Sequence, residues 1–402
     1  MNILFLTMAN VYDIEDHDIY QDLMRCFCEH GHKVYIVTGA EKRKGLETEL
    51  YDSCGCSILR VKVGNQSNCS LIEKGLATIS LQSKYFRAIS KHLRGVKFDL
   101  ILYATPPITL VSLVSRIKKK NKCISYLMLK DIFPQNAVDL GMISEGGIVY
   151  RYFRRKEMTL YRISDVIGCM SEANVEYLLQ KNSIDRNKVE ICPNALLPRE
   201  KTDLSPQEKN EMKERFGIPL EKLVLVFGGN LGKPQGIDFL IDCLKSIKDD
   251  ANIFTIIVGD GSEFQSIEKA IHLCEINNVL LLRRLPRDEY LKMCRLADVG
   301  MIFLDYRFTI PNFPSRILPY MENEMPILCA TDDVTDIGTI VEKNGFGWKC
   351  KSNSISGFLM AIERIKHDDI KMMGKRGKEY LKEYFNTETC YQKIMEKVLR
   401  KK

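Results

Sequence analysis

The chain has 402 residues, 45% hydrophobic and 28% charged, which is the composition of a globular protein and not of a disordered or fibrous one. This length exceeds one ordinary hydrophobic core and predicts two domains. The net charge of +7 is modest and lacks the basic stripe with interleaved aromatic residues that is typical of nucleic-acid-binding proteins, so no nucleic acid is expected as a partner.

Short apolar runs alternate with helix-length amphipathic segments through the first half of the chain. The predicted strands are, in order, NILFLTM, HKVYIVTG, SILRVKV, FDLILYA, CISYLML, DVIGCM and VEICPN. Helices are predicted around Ile19–Glu29 and near residues 80–93. Strands rich in Ile, Val, Leu and Tyr that are separated by helices indicate a parallel sheet with both faces covered.

The same pattern begins again after a polar stretch at residues 198–219. Its strands are LVLVFGG, FTIIVGD, VLLLRRL, DVGMIFL, MPILCAT and GWKC. We therefore predict two doubly wound, Rossmann-like α/β domains that face a cleft, at residues 1–197 and 198–385. The last helix, residues 386–402, is expected to pack back on the first domain. Ligands of such sheets lie beyond the carboxyl ends of the strands.

The cysteines and histidines show no metal-binding pattern in the sequence. The 14 cysteines are scattered, and neither Cys26-Phe-Cys28 nor Cys54-Gly-Cys56 has the spacing of a structural zinc site. The six histidines form no HxH or HExxH pair. Buried reduced thiols, no bound metal and a cytoplasmic location are therefore expected.

The sequence leaves open whether the protein contacts a membrane surface. The N-terminus begins as a strand without the basic region of a secretory signal. The longest uncharged run, residues 100–115, is too short to cross a membrane. Basic and aromatic residues alternate at 150–162, which suits either peripheral contact with an anionic membrane surface or a solvated helix face.

Three glycine-containing loops in the second half follow predicted strands. VFGGNLGKPQGIDFL, residues 226–240, matches neither a Walker A motif nor GxGxxG, but its glycines would let the backbone approach an anion and Lys233 adds a positive charge. In TIPNFPSRILPYM, Pro314 suits a first helical turn, where Ser315 and Arg316 would offer a hydroxyl and a guanidinium. VGDGSE is the third loop. Together they would grip a diphosphate, although plain strand-to-helix turns remain the alternative.

Six segments in order resemble family 4 of the nucleotide-sugar glycosyltransferases, which have the GT-B fold. They are EHGHKVYIVTG, KDIFPQNAVDLGMI, LYRISDVIGCMSEANVEYL, VEICPNALLP, GGNLGKPQGIDFLI and NFPSRILPYMENEMPILCATD. The second, fifth and sixth are similar to motifs of a WbuB-like subfamily in bacterial surface-polysaccharide biosynthesis. Nearly the whole chain takes part in the resemblance.

The resemblance implies retaining, metal-independent transfer of a sugar from a UDP-sugar, without a cofactor. The sugar would be an N-acetylated hexosamine or deoxyhexosamine. The acceptor would be a lipid-linked saccharide of the undecaprenyl type at the inner membrane face, in capsule, O-antigen or exopolysaccharide synthesis. Many members carry two glutamates where this chain has Pro311 and Pro319. Glu322 is the candidate replacement for the one that holds the ribose.

The candidate donor site follows from these loops and from the resemblance. Fixed cations and amide dipoles would stabilise the charge that develops on the leaving diphosphate. Arg284 and Gly261 would lie where the nucleobase and ribose pass. The predicted donor-binding residues are Gly229, Asn230, Gly232, Lys233, Gln235, Gly261, Arg284, Ser315, Arg316 and Glu322.

The first domain would supply the opposing wall. Asp131, just after the CISYLML strand, would accept a proton or orient the acceptor hydroxyl, with Lys130 balancing its charge. The alternative that Asp131 only caps the next segment stays open. Thr105, Asp16 and His17 are candidate acceptor contacts.

The absence of the glutamate pair favours a front-face mechanism in which the leaving phosphate takes the acceptor's proton. Two other functions stay open. A UDP-sugar 2-epimerase needs several acid/base groups, and the sparse histidines argue against it. A non-catalytic sugar-nucleotide-binding module is compatible with the missing glutamates.

Overall fold

The computed structural model describes residues 1–66, 69–199 and 204–401, and the chain forms two compact units. The first unit comprises Met1–Leu197 together with Phe385–Lys402, and the second comprises Pro198–Tyr384. The sequence places the divisions after residues 197 and 385, and the contacts within the chain place them after residues 197 and 384.

Strands and helices alternate along both units, as expected for doubly wound folds. The strands are β1 (Asn2–Leu6), β2 (Lys33–Glu41), β3 (Glu49–Ser53), β4 (Cys56–Val63), β5 (Leu100–Ala104), β6 (Ile124–Leu129), β7 (Val166–Cys169), β8 (Val189–Ile191), β9 (Leu223–Asn230), β10 (Ile253–Asp260), β11 (Val279–Leu282), β12 (Val299–Phe303), β13 (Ile327–Thr331) and β14 (Gly347–Lys351). The helices are α1 (Ile19–Glu29), α2 (Leu71–His92), α3 (Val111–Asn121), α4 (Gln135–Asp139), α5 (Ile148–Ile163), α6 (Glu172–Lys181), α7 (Pro206–Arg215), α8 (Ile237–Ser246), α9 (Phe264–Leu273), α10 (Arg287–Leu296), α11 (Ile317–Glu322), α12 (Ile337–Lys343), α13 (Ile355–His367), α14 (Ile370–Tyr384) and α15 (Thr387–Leu399).

The sheet of the first unit has the order β3-β4-β2-β1-β5-β6-β7-β8. All of its pairs are parallel except β3 with β4, which is an antiparallel edge pair that the sequence analysis missed. Buried residues from both faces form two apolar clusters, because its central strands are almost continuously hydrophobic. Helix α15 contributes Cys390, Ile394 and Val398 to one of these clusters, so the C-terminal helix belongs to the first unit.

The sheet of the second unit has the order β11-β10-β9-β12-β13-β14, with every pair parallel. The polar stretch that precedes it contains α7, which begins with a capping box: Ser205 accepts from the backbone of Glu208, whose side chain accepts from the backbone of Ser205. The predicted pair of doubly wound α/β units is confirmed.

Two helix boundaries differ from those predicted. The helix near residues 80–93 begins earlier, at Leu71, where Ser70 accepts a capping hydrogen bond from the backbone of Glu73. Pro314 is not in a first helical turn, because α11 begins only at Ile317. None of the described helices is long and apolar enough to span a bilayer.

The strand orders identify where each unit is open to a ligand. In the second unit the chain leaves β9 for β10 on one side, and β12 lies on the other side. In the first unit β1 lies between β2 and β5 in the same way. At such a switch point the following loops diverge and leave a crevice at the carboxyl ends of the strands. The predicted donor loop, after β9, lies at the switch point of the second unit.

Candidate active site

Backbone hydrogen bonds and close backbone contacts join the end of β9 to the end of β10. Leu231 donates its N–H to Asp260 O at 2.9 Å, and Glu263 donates to Leu231 O at 2.9 Å. A Cβ at Gly261 would lie 2.3 Å from Leu231 O, and one at Gly259 would lie 1.9 Å from the carbonyl oxygen of the residue it faces across the pair. Glycine is therefore required here by backbone packing, and Gly261 shapes the donor loop from beneath.

Tyr320 of α11 fixes the first turn of the donor loop. Its hydroxyl accepts a hydrogen bond from Gly228 N at 3.2 Å and lies 3.2 Å from Met301 O, to which it donates. The side chain is fully buried, and this burial raises the pKa of Tyr320 to about 12. The phenol therefore stays protonated and keeps both roles at neutral pH.

Arg316 lies directly beside the donor loop. Its Nη2 donates to Gln235 Oε1, and its guanidinium carbon lies 4.6 Å from the ring centroid of Phe227. A Cβ at Gly229, where φ is +119°, would lie 3.6 Å from Nη2. Burial lowers the pKa of Arg316. Its Nη1 is buried without a hydrogen-bond partner among the residues that the structure describes.

The other predicted residues of this loop differ in their exposure to solvent. Asn230 and Lys233 are exposed, whereas Gly232 is buried and begins the 3-10 turn Lys233–Gln235. Lys233 has no ion-pair partner within the described ranges. Ser315 is exposed beside Arg316. A solvent-facing lysine and a more buried arginine thus lie in the two predicted donor loops, and both cations could form charge-assisted hydrogen bonds with a phosphate.

The loop after β12 packs against the donor loop. The sequence analysis did not predict this contact. Asp305 donates its N–H to Pro234 O at 3.1 Å, and its carboxylate binds Arg307 at 2.8 and 2.6 Å. Gly236 has φ +55°, and a Cβ there would lie 2.9 Å from Leu304 O. This close approach explains the last glycine of the loop as a packing requirement.

The remaining donor candidates are Arg284, which follows β11, and Glu322, at the end of α11. Arg284 is exposed, and its backbone N–H lies 3.4 Å from Asp260 Oδ2, while Arg283 forms the ion pair with that carboxylate at 3.1 Å. Glu322 is only 7% exposed, at the end of α11. The roles of Arg284 and Glu322 toward a nucleoside stay predictions.

In the first unit, Asp131 lies at the end of β6 in a hydrogen-bonded turn. Asn136 Nδ2 donates to Asp131 Oδ1 at 2.9 Å. Burial raises the pKa of Asp131 to about 6, although its hydrogen bonds from Ile132 and Asn136 act in the opposite direction. A carboxyl with a pKa near neutrality suits proton transfer.

Thr105 and Lys130 hold this turn in place. The buried Thr105 Oγ1 accepts from Lys130 N at 3.0 Å and lies 3.4 Å from Asp131 N. Lys130 Nζ donates to Cys192 O at 3.2 Å, and burial lowers its pKa. The structure therefore brings Thr105, Lys130 and Asp131 together, and the Thr105 hydroxyl contacts the backbone of the other two.

His17, in the loop after β1, joins a buried ionic cluster around Asp22 of α1. His17 Nδ1 lies 2.7 Å from Asp22 Oδ2, and Arg25 binds the other carboxylate oxygen. Leu197 N donates to Asp22 Oδ2 at 2.9 Å. His17 is thus held in the interior, whereas Asp16 is exposed and stays the more accessible candidate for an acceptor contact.

Comparison with known proteins gives the enzyme class. Residues 208–382 match the family described as glycosyl transferases group 1. The chain is 25% identical over 308 residues to the probable glycosyltransferase WbjE of Pseudomonas aeruginosa, covering 76% of this chain and 74% of that protein. The glycosyltransferase class expected from the sequence is thereby confirmed.

Solved structures give the fold. Sucrose-phosphate synthase from Thermosynechococcus elongatus superposes with a TM-score of 0.77 at 14% identity, covering 100% of this chain and 98% of that one. Anabaena Alr3699/HepE, in complex with UDP and glucose, superposes with a TM-score of 0.72 at 16% identity and covers 100% of both chains. The predicted GT-B fold is confirmed.

Proposed function

We propose that this glycosyltransferase moves a sugar from a UDP-sugar to a lipid-linked saccharide, with retention of configuration and without a metal ion. The observation that carries the proposal is the buried, unpartnered Nη1 of Arg316 beside the glycines of the β9 loop. A buried N–H of a cation without a partner costs free energy. A diphosphate oxygen would satisfy it with a charge-assisted hydrogen bond.

Three further features support the donor class. Lys233 of the β9 loop supplies a second positive charge, and Gln235 and Phe227 contact the Arg316 guanidinium. The superposed HepE structure contains UDP and glucose. WbjE is described as a probable glycosyltransferase. The resemblance of the sequence to the WbuB-like subfamily supports an N-acetylated hexosamine or deoxyhexosamine and a place in surface-polysaccharide synthesis.

The acceptor class is supported by the surface of α5 in the first unit. Ile148 is 88% exposed, and Val149, Tyr152 and Met158 are also exposed. Arg151 and Arg155 are exposed on the same helix. Exposed apolar and cationic side chains together suit an anionic lipid surface, where a lipid-linked saccharide would be presented.

The residues of the chain would act by stabilising charge and by orienting the acceptor. Arg316 and Lys233 would stabilise the charge on the departing diphosphate, an effect worth about 3–4 kcal/mol per donor in well-organised sites. Asp131 would either orient the acceptor hydroxyl while the leaving phosphate takes the proton, or accept that proton itself. The front-face course needs no carboxylate nucleophile, which agrees with Pro311 and Pro319 in place of the two glutamates.

The first experiment is calorimetric titration of UDP, GDP and ADP in the presence of a chelator. We expect wild type to bind UDP in preference to the other two, and Arg316→Ala to weaken UDP binding at least about tenfold. Lys233→Ala should weaken it less, because that side chain is exposed. Arg364→Ala and Lys245→Ala remove exposed cations elsewhere in the second unit and serve as matched controls.

The outcomes separate the proposal from its rivals. Equal UDP binding by wild type and Arg316→Ala contradicts the donor site. Conversion of a UDP-sugar in the absence of any acceptor identifies an epimerase. Tight UDP binding without turnover of any UDP-sugar, with lipid-linked acceptors present, identifies a binding module.

A further inference from the structure

A second constellation of polar side chains lies where the C-terminal helix packs on the first unit. Cys26 and His30 come from the end of α1, and Glu388 comes from the first turn of α15. Glu388 Oε2 lies 3.5 Å from Cys26 Sγ and 2.9 Å from His30 Nε2. The three ligand-type atoms lie within 4.8 Å of one another. We propose that Cys26, His30 and Glu388 bind a zinc ion that fastens α15 to α1.

The geometry suits a tetrahedral ion. Bonds of about 2.3 Å to sulfur and 2.0–2.1 Å to nitrogen and oxygen separate the ligand atoms by about 3.3–3.6 Å. The Cys26 Sγ–Glu388 Oε2 separation of 3.5 Å falls in this range, and the His30 Nε2–Glu388 Oε2 separation of 2.9 Å is shorter. Cys26 Sγ and His30 Nε2 lie within 4.8 Å of each other, so an ion would draw these two ligands together and spread the other pair apart. Cys26 and His30 are four residues apart, which places both on one face of a helix. The shared oxygen of Glu388 would move slightly outward as the ion replaces its two hydrogen bonds.

The ligand types select the metal. A thiolate, an imidazole and a carboxylate together favour zinc over magnesium or calcium, which prefer oxygen ligands. Cys26 is buried, whereas the side chains of His30 and Glu388 are about 40% exposed, so the ion would have a path from solvent. A water would occupy the fourth position that the three protein ligands leave open.

Two neighbours hold the ligands in place. Gln392 Nε2 donates to the second oxygen of Glu388 at 2.9 Å. The ring of His30 stacks on Tyr391 with centroids 4.0 Å apart and an interplanar angle of 11°. Such supporting contacts orient metal ligands and strengthen binding. Both neighbours lie on α15, so the site exists only when that helix is docked.

The proposed ion has a structural role and lies outside the candidate active site. Glu388 is 362 residues from Cys26 along the chain, and the whole second unit lies between them in the sequence. A bond across so long a loop constrains the unfolded chain, and metal binding that requires the folded site adds directly to its stability. The ion would therefore stabilise the docked C-terminal helix and leave nucleotide binding unchanged.

The test uses tag-free, chelator-treated full-length protein titrated with Co²⁺ and Zn²⁺. We expect Co²⁺ to give a thiolate-to-cobalt charge-transfer band in wild type and in Cys54→Ser, which alters an exposed cysteine outside the site. Cys26→Ser should lose the band. Zn²⁺ at about 100 times its Kd should raise the melting temperature of helical structure by about 5–10 °C.

Glu388→Gln keeps the size of the side chain and its hydrogen bond to His30, so it should fold normally. It therefore separates loss of metal binding from misfolding. We expect it to melt like wild type without metal and to bind Zn²⁺ at least about tenfold more weakly. Glu396→Gln, on the same helix, is its control. A cobalt band that persists in Cys26→Ser, its absence from wild type, or an unchanged zinc response in Glu388→Gln overturns the proposal.

Discussion

Asp131 shows how burial gives one carboxyl an unusual protonation range. Its pKa rises from 3.8 in the unfolded chain to about 6 in the folded protein because it is desolvated. Between these values the folded state holds the proton that the unfolded state has lost. The contribution of this group to stability is therefore greatest below pH 3.8 and is lost as the pH rises through about 6.

Asp131→Asn should remove this pH dependence. We expect the melting temperature of wild type, relative to the variant, to fall between pH 4 and pH 6 or so, because only wild type must ionise a buried carboxyl. Matched thermal melts of both proteins across that range test it. A constant difference between the two curves would show that Asp131 has no raised pKa in the folded state.

The same residue makes a separate prediction about turnover. If Asp131 takes up the acceptor's proton, kcat/KM of wild type rises with pH to a plateau, with an apparent pKa near 6. Asp131→Asn should lower kcat by about 100-fold or more, since general bases contribute that much. Its UDP affinity should not change. Full activity in the variant would leave Asp131 as a capping residue only.

At the scale of elements, the paired turns after β9 and β10 depend on glycine packing. A Cβ at residue 261 would lie 2.3 Å from a backbone oxygen, which has no rotamer with which to move away. Gly261→Ala should therefore destabilise the second unit by about 1–3 kcal/mol and weaken UDP binding. Urea unfolding and calorimetry measure the two effects.

Gly377→Ala is the matched control for that variant. Residue 377 lies within α14, and a Cβ added there would be 3.5 Å from Phe346 Cβ, an ordinary van der Waals contact. The alanine should therefore be neutral, or stabilising through its higher helix propensity. Equal stability of the two variants would show that the β9 and β10 turns are not closely packed.

The sequence was most informative where burial was complete on both faces. Strands such as β5, with all five residues buried, stand out as uninterrupted apolar runs. The edge strand β3 has the mixed sequence ELYDS and is largely exposed, so no periodicity marks it. Helix α7 is almost wholly polar, and its only signal was the capping box at Ser205 and Glu208. Pairing with β4 stabilises β3, and the capping box stabilises the start of α7. Neither interaction produces a hydrophobic pattern in the sequence.

The candidate donor site was predictable to the extent that it is local in sequence. The glycines, Lys233 and Arg316 lie in two loops whose positions follow from the strand order. The unpartnered Nη1 was not predictable, because it depends on Gln235 and Phe227 engaging the rest of the guanidinium. Cys26, His30 and Glu388 were missed for the same reason, since their proximity exists only in the folded chain.

At the scale of the whole molecule, the two proposed ligands, UDP and zinc, would bind different units. One side chain, Trp348, reports on the second unit. Trp348 is the single tryptophan of the chain, fully buried, with Nε1 donating to Asp368 Oδ2 at 2.7 Å. Its fluorescence will therefore follow the unfolding of the second unit. A ligand raises the midpoint of a transition only if it binds the structure that is lost there.

UDP should raise the midpoint of the tryptophan transition and slow hydrogen exchange in the β9 loop. Zinc should slow exchange in α1 and α15 and leave the tryptophan midpoint unchanged, because its ligands all belong to the first unit. Arg316→Ala should abolish only the first response and Glu388→Gln only the second. If zinc moves the tryptophan midpoint as far as UDP does, either the two units unfold together or the ion binds in the second unit. Loss of that shift in Glu388→Gln would identify joint unfolding, because the variant alters the first unit alone.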